Sequence, residues 1–343
     1  MAINAVVHGG NESQWGILGT PTQIGQAAWG TPTADTVACE MFESKIPSVD
    51  PGVFRDNTVK LGDGRFRAVA NDYASAAGGT RVISFSDMVV RGKDLGVLLY
   101  AVCQNMSEAV GTPFEKTLTI ANATTQPNFS AGAGFFATIG IEDTIASFHR
   151  KYEGCILRTL TLSADLAGDG LLRASGEWIS GFPEVTTANF ITGVWAYNTQ
   201  THYNFHVTPT KKILGNDIVL YGFDITINNN AVRVGSSGAT GECETYAIGT
   251  GDTGYEISGN IKAKFDANTQ GIIAADRAGT TAAIQLACGS DGVLGNFDFT
   301  AASCLLQNVA DDYDNSMGRA LDIPFIANTS AVFTVSDALD RNW

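Results

Sequence analysis

YEGCILRTLTLSADLAGDGLLRASGEWISGF, residues Tyr152–Phe182, alternates along its first arm. Arg158, Leu160, Leu162 and Ala164 fall on one face, and Leu157, Thr159, Thr161 and Ser163 on the other. Side chains of a strand repeat every second residue, so the arm reads as half of a sheet with one apolar and one polar face. Ala167–Gly170 (Ala-Gly-Asp-Gly) supplies a turn, because Asp-Gly accepts the positive φ of a tight hairpin. The second arm, Leu171–Ile179, returns antiparallel. The stretch carries no nucleophile motif, metal-ligand set or phosphate loop, so it points to building rather than chemistry.

The same alternation recurs outward from this hairpin. Tyr255, Ile257, Gly259, Ile261, Ala263 and Phe265 share one face of a strand, and Glu256, Ser258, Asn260, Lys262, Lys264 and Asp266 share the other. Arg81–Val90 is a strand with Val82, Ser84, Ser86 and Met88 opposite Ile83, Phe85, Asp87 and Val89. Leu95, Leu98, Leu99 and Val102 have the spacing of one buried helical face and predict a helix over Lys93–Gln104. A shorter helix is expected over Thr269–Ala278. Further strands are expected over Ala38–Ile46, Lys116–Ile120, Phe135–Ile141, Leu220–Asn228, Ala282–Ala287, Phe297–Leu306, Ala320–Ala327 and Val332–Val335. Asn71–Gly79 and Gly235–Gly254 read as loops, and Asn189–Thr208, with Trp195, Tyr197, Tyr203 and Phe205, as an extended bridge or strand pair.

Composition agrees with a mainly β chain. Of 343 residues 44% are hydrophobic and only 16% charged, enough apolar surface for a core and against disorder. The 38 glycines and 9 prolines suit many short strands joined by turns. The formal net charge of −14 disfavours tight binding to a phosphate backbone. Cys39, Cys103, Cys155, Cys243, Cys288 and Cys304 are scattered without a C-x-x-C pair and read as buried free thiols. The first residues lack the basic and apolar regions of a signal peptide, and the longest apolar run, Leu95–Cys103, is short of a membrane span. Residues 1–35 show no helix or strand period and read as a floppy terminus or as an extended arm on a neighbouring subunit; Trp15 and Trp29 as anchors favour the arm.

No catalytic, cofactor or metal residues are expected. His202 and His206 lie four apart on an expected strand, too far for one metal. Glu142, Asp143 and Glu177 read as solvated charges rather than an acid pair. Asp311–Asp314 begins like a calcium loop, but Met317 and Ile323 stand where glycine and glutamate are required.

The order of elements repeats. VISFSDMVVRGKDLGVLLYAV answers to YEISGNIKAKFDANTQGIIAAD, FFATIGIE to AAIQLACG, and the opening hairpin to FDFTAASCLLQNVADDYDNSMGRALDIPFIA. This predicts two tandem packed β units, residues 36–188 and 218–343, joined by a connector at 189–217, each with one flanking helix.

From Trp29 to Val335 the chain resembles the tail tube proteins of tailed phages, in the longer form with a duplicated tube fold. WGTPTADTVACEMFESKIPSVD (Trp29–Asp50), SFSDMVVRGKDLGVLLYAV, the opening hairpin and FDITINNNAV (Phe223–Val232) carry the resemblance. It implies a virion structural protein that is not an enzyme and needs no cofactor. Each of the two units would be a β-sandwich or half-barrel, and their inner sheets would join between subunits into a barrel. Three chains would make a pseudo-sixfold ring, with a hexamer as the alternative. Rings would stack into a tube whose acidic lumen passes DNA, in contact with tape-measure, terminator and tip proteins, in a tail assembled in the host cytoplasm. The two long loops would reach the next ring. The competing readings are another virion β-sandwich protein, for decoration or tail completion, and a carbohydrate-binding protein with Trp195–Phe205 as its platform.

Overall fold

The computed structural model describes residues 13–20, 23–24, 39–41, 46–50, 79–109, 114–121, 134–143, 148–187, 195–196, 200–235, 243–249, 254–290, 293–314 and 318–337. Trp29, Tyr197 and positions 71–78 lie outside them. The first strands are β1 (Ser13–Thr20), β2 (Gln23–Ile24), β3 (Cys39–Met41) and β4 (Ser48–Asp50), and β5 (Arg81–Val89) runs into helix α1 (Gly92–Cys103). Next come β6 (Ser107–Ala109), β7 (Phe114–Ala121), β8 (Ala137–Asp143), the long β9 (Phe148–Asp165), β10 (Arg173–Ser180), β11 (Val185–Thr187) and β12 (Trp195–Ala196). Then β13 (Thr210–Ile213), β14 (Asn216–Asp217), β15 (Leu220–Asn228), β16 (Val232–Val234), β17 (Thr245–Ala247) and β18 (Glu256–Lys264) lead into α2 (Ala267–Arg277). After it follow β19 (Ala282–Cys288), β20 (Phe297–Leu306), β21 (Ala310–Asp314), β22 (Gly318–Ala327) and β23 (Ser330–Asp337). The protein is mainly β, as its alternating pattern requires.

One antiparallel ladder runs β4·β5·β10·β9·β15·β18·β22·β21. Two further ladders cover it. In one, the first half of β9 lies between β8 and β11, and β8 carries β1. In the other, the first half of β20 lies between β19 and β23, with β13 on β19 and β7 on β23. β9 and β20 therefore do the same thing: each starts in a covering layer and crosses into the long sheet.

Their registers agree residue by residue. Ala137 faces Cys155 and Ile139 faces Tyr152 across a shift, just as Ala282 faces Cys304 and Ile284 faces Ala301 across a shift. Ile156, Leu157 and Ser163 face Ile179, Trp178 and Arg173. Leu305, Leu306 and Asp312 face Ile326, Phe325 and Ala320. Along the crossing strand every counterpart stands at one constant offset, from Cys155 and Cys304 to Ser163 and Asp312.

The core fills the space under the long sheet. Ile83, Phe85, Leu160, Leu162, Trp178, Ile225, Ile227 and Ile261 are all buried. Helix α1 is enclosed on more than the one face its spacing suggested. Val97, Ala101 and Cys103 are as buried as Leu95, Leu98, Leu99 and Val102, because β7 and β23 lie against the helix as well as β9. Helix α2 buries only Thr269 and Ile272. It starts two residues before the expected Thr269, because the Asp266 side chain accepts from the amides of Asn268 and Thr269 and caps it.

Four expectations change. Residues 13–20 are not an arm on a neighbour: β1 pairs with β8, and Trp15 is buried 5.5 Å from the Phe85 ring. Asp87, at φ 55°, is a bulge, so Met88 turns inward with Phe85. Arg158 is a second bulge, opposite the step from Glu177 to Trp178; it puts Leu157 in the core and Arg158 on the polar face. The Gly/Ser/Thr-rich segment after Val232 is not only a loop. β16 and β17 form a hairpin whose Tyr246 hydroxyl donates to Gly154 O (2.8 Å) and accepts from Gly181 N (2.6 Å).

Candidate assembly surfaces

Alternation leaves the other face of the long sheet polar. Across it run Arg173, Ser163, Asp224 and Asn260, and beside them Ser175, Thr161, Thr226 and Ser258. Thr161 and Thr226 share a hydroxyl hydrogen bond of 2.9 Å across the β9·β15 pair. Arg158 pairs with Glu177, and Arg173 with Asp87 (2.8 Å) and Asp169 (2.7 Å). Lys262 faces Asp322, and Glu256 and Lys264 stand on the same side. Charges of both signs interleave with hydroxyls, so the chain's net negative charge is not concentrated among the described residues of this face.

Asp224 is half-buried here, and burial raises its carboxyl pKa, opposed in part by the Asn260 amide. A carboxyl raised above its unfolded value of about 3.9 holds its proton longer in the folded chain, so stability falls as pH rises through that window. Asp224→Asn is therefore expected to stabilise the chain at pH 7 and to change it little near pH 3. Urea midpoints of both proteins at the two pH values check this; an equal difference at both would contradict it.

The ladder is open at both ends. Among the described residues β4 is paired only with β5, and β21 only with β22. No barrel closes within the described part of one chain. Exposed strand edges are templates for another strand. Leu305, on the β20 stretch that continues into β21, is exposed, and so is Ile46 beside β4.

The two strand ends of the sheet carry apolar residues as well. At the β9–β10 turn Gly170 (φ 66°) closes the hairpin, and a side chain there would run into the His206 imidazole. Beside this turn a groove of about 420 Å³ is lined by Leu171, His202, Val207, Val293 and Leu294 among others. Val207, Val293 and Leu294 are exposed. At the opposite end Val232 and Val234 of β16 are exposed.

The residues singled out for chemistry do not converge. His202 bridges to Arg91, and His206 lies in the turn beyond Asn204, whose side chain accepts from its amide. The expected strand through both histidines is only two isolated bridges, His202 to Arg91 and Asn204 to Leu171. Glu142 is buried with His149 (3.9 Å), and Glu177 pairs with Arg158. The Asp311–Asp314 run is strand β21. Tyr203 and Phe205 are core residues, packed edge-to-face on Phe297, and so offer no exposed platform. Cys103, Cys155, Cys243, Cys288 and Cys304 are buried and form no disulfide with one another, and burial pushes the Cys288 and Cys304 thiols up to about 12. Among the described residues no group of three or more His, Cys, Asp and Glu could hold a metal ion, and no helix is long and apolar enough to cross a membrane.

A two-faced sheet open at both edges among the described residues fits a subunit built to join others. A family model described as phage tail tube protein matches residues 4–327. The chain belongs to the phage tail tube protein family. No curated protein matches it. Membership of the tail tube family makes it a structural protein of the phage tail that self-assembles into a tube with other tail proteins as partners. For a tail tube protein, the features that matter are the sheet edges, the polar face and the two strand ends.

Proposed function

We propose that this chain is the repeating subunit of a hollow tail tube, with the polar face of its long sheet lining the bore through which DNA leaves during ejection. The observation that carries this reading is the eight-stranded ladder, apolar on one face, polar on the other and open at both edges. Residues 36–188 and 218–343 act as two tandem units joined by 189–217, a division supported by the matching registers of β9 and β20. The chain is not an enzyme and uses no cofactor.

Strand count favours three chains per ring. Eight strands about 4.8 Å apart span about 38 Å of circumference, so three chains give a wall about 37 Å across before tilt. With grooves only about 8.5 and 7.5 Å deep, a duplex is narrower than such a wall and passes with side chains in place. Two chains would make only a porin-sized barrel of 16 strands. A bore of hydroxyls and mixed-sign charges, in a chain of net charge −14, gives phosphates no basic track to adhere to. Stacking uses the apolar strand ends, and the ends of the finished tube meet the tape-measure, terminator and tip proteins. Assembly takes place in the host cytoplasm.

Negative-stain microscopy of the purified protein at rising concentration tests this. Tubes of uniform bore with threefold rings are expected. Monomers at every concentration would refute the tube, and sixfold rings of six chains would refute the count.

A further inference from the structure

Inside the chain, the long sheet already contains one junction between its two halves: β9 pairs antiparallel with β15, Ser163 facing Asp224, Leu162 facing Ile225 and Thr161 facing Thr226. Each strand in that junction has a counterpart that, among the described residues, pairs with a strand on one edge only. On one side, the offset that relates β9 to β20 and β21 places Ala310, Asp311 and Asp312 at the positions of Thr161, Leu162 and Ser163. On the other, β4 pairs with β5 as β15 pairs with β18. Val89 and Met88 match Lys264 and Ala263 through their partners Arg173 and Ala174, Ala320 and Leu321. Removing the Asp87 bulge then sets Ser84, Ile83 and Val82 at Asn260, Gly259 and Ser258. Their neighbours Ser48, Val49 and Asp50 therefore stand at Asp224, Ile225 and Thr226.

We infer that ring closure repeats the internal junction between chains: β21 of one copy pairs antiparallel with β4 of the next, Ala310 opposite Asp50, Asp311 opposite Val49 and Asp312 opposite Ser48. The interface is head-to-tail, since the two edges belong to different strands, and it closes only if rotation brings the last edge to the first. The inference rests on the ring-forming reading above and adds the occupant and register of each edge. Register matters because a slip of one residue turns every side chain of the strand to the wrong face. The half-buried Val49 packs on the same core as Ile225 does at the internal junction.

Directly opposed residues of an antiparallel pair have Cα atoms about 4.5–5.5 Å apart, within reach of a disulfide. The chain carrying Val49→Cys and Asp311→Cys, assembled and oxidised, is expected to give a ladder ending at a covalent three-chain ring on a non-reducing gel. Val49→Cys with Ala310→Cys, one residue out of register, is expected to give none. On the unsubstituted chain, amide exchange at 48–50 and 310–312 is expected to slow on assembly while 222–228 stays unchanged. Tubes that form without the in-register ladder, or with the off-register one, would overturn this pairing and leave the tube reading standing. Absence of tubes and ladder together would overturn both. Unchanged exchange at the two edges in formed tubes would overturn the pairing even if the cysteine variants misfold.

Discussion

Asn229→Leu is expected to remove about 4 kcal/mol of folding stability, because it strips three buried groups of their partners at once. Asn229 is fully buried just past the end of β15. Its side-chain amide donates to Leu157 O (2.8 Å) and Val102 O (3.1 Å), and its Oδ1 accepts from Ala231 N (3.1 Å). Each acceptor is left over by a different irregularity. Val102 lies in the last turn of α1, where carbonyls lack helical partners. Leu157 precedes the Arg158 bulge, where the β9·β10 ladder is interrupted. The Asn229 amide itself donates to Arg158 O (3.1 Å), so backbone and side chain together seal the bulge. One side chain thus ties the helix, the crossing strand and the start of the β16–β17 hairpin together. Leucine keeps the branched shape but is bulkier, so some overpacking adds to the loss of the hydrogen bonds. Asn229→Asp, which keeps the acceptor and loses both donors, is expected to retain little of the stability. Urea unfolding measures both, and a leucine variant with the parent midpoint would show that the three groups find other partners.

Neither Asn229 nor its partners carried a signal in the sequence. What was legible was local. The alternation of Glu256–Lys264 and the Asp169-Gly170 turn each follow from a few neighbouring residues, and the ladder places them as expected. The Asp87 and Arg158 bulges were not legible, because a bulge is a mismatch between two strands and neither strand shows it alone. The enclosure of α1 depends on β7 and β23, and β23 lies more than 200 residues further along the chain than α1, beyond any periodicity argument. β1 was hidden because its Ser-Gln-Trp-Gly-Ile-Leu-Gly-Thr run is glycine-rich; its strand state comes from β8, not from its own propensity. The assembly surfaces divide in the same way. Two-faced strands announced a sheet that wets one side, but which strands are edges is a property of the whole ladder. Only the register of β9 against β15 makes the two free edges comparable.

Gly259→Val is expected to destabilise the chain by about 4 kcal/mol, although valine is the better strand former in isolation. Gly259 faces Ile225 of β15 on one side and Phe325 of β22 on the other. A Cβ built there falls on the carbonyl oxygen of Asp224 and lies 2.9 Å from the Phe325 ring, which covers the bare backbone. The ring is buried and held 6.3 Å from Phe299, so it has little room to withdraw. The carbonyl belongs to β15 and cannot move without disturbing the ladder that joins the two halves of the chain. The two obstacles can be separated. Gly259→Ala combined with Phe325→Leu clears the ring but not the carbonyl, so it is expected to recover only part of the loss. Full recovery would assign the whole cost to the aromatic ring, and a Gly259→Val protein within 1 kcal/mol of the parent would show that β15 and β18 separate more easily than their register implies. The same variant reads out on assembly: β15 and β18 lie inside the ladder, away from its edges, so under the proposed ring, chains that still fold with a displaced β15 are expected to form rings of uneven bore. Chains that stack into normal tubes despite that displacement would mean the bore is set by the covering ladders instead.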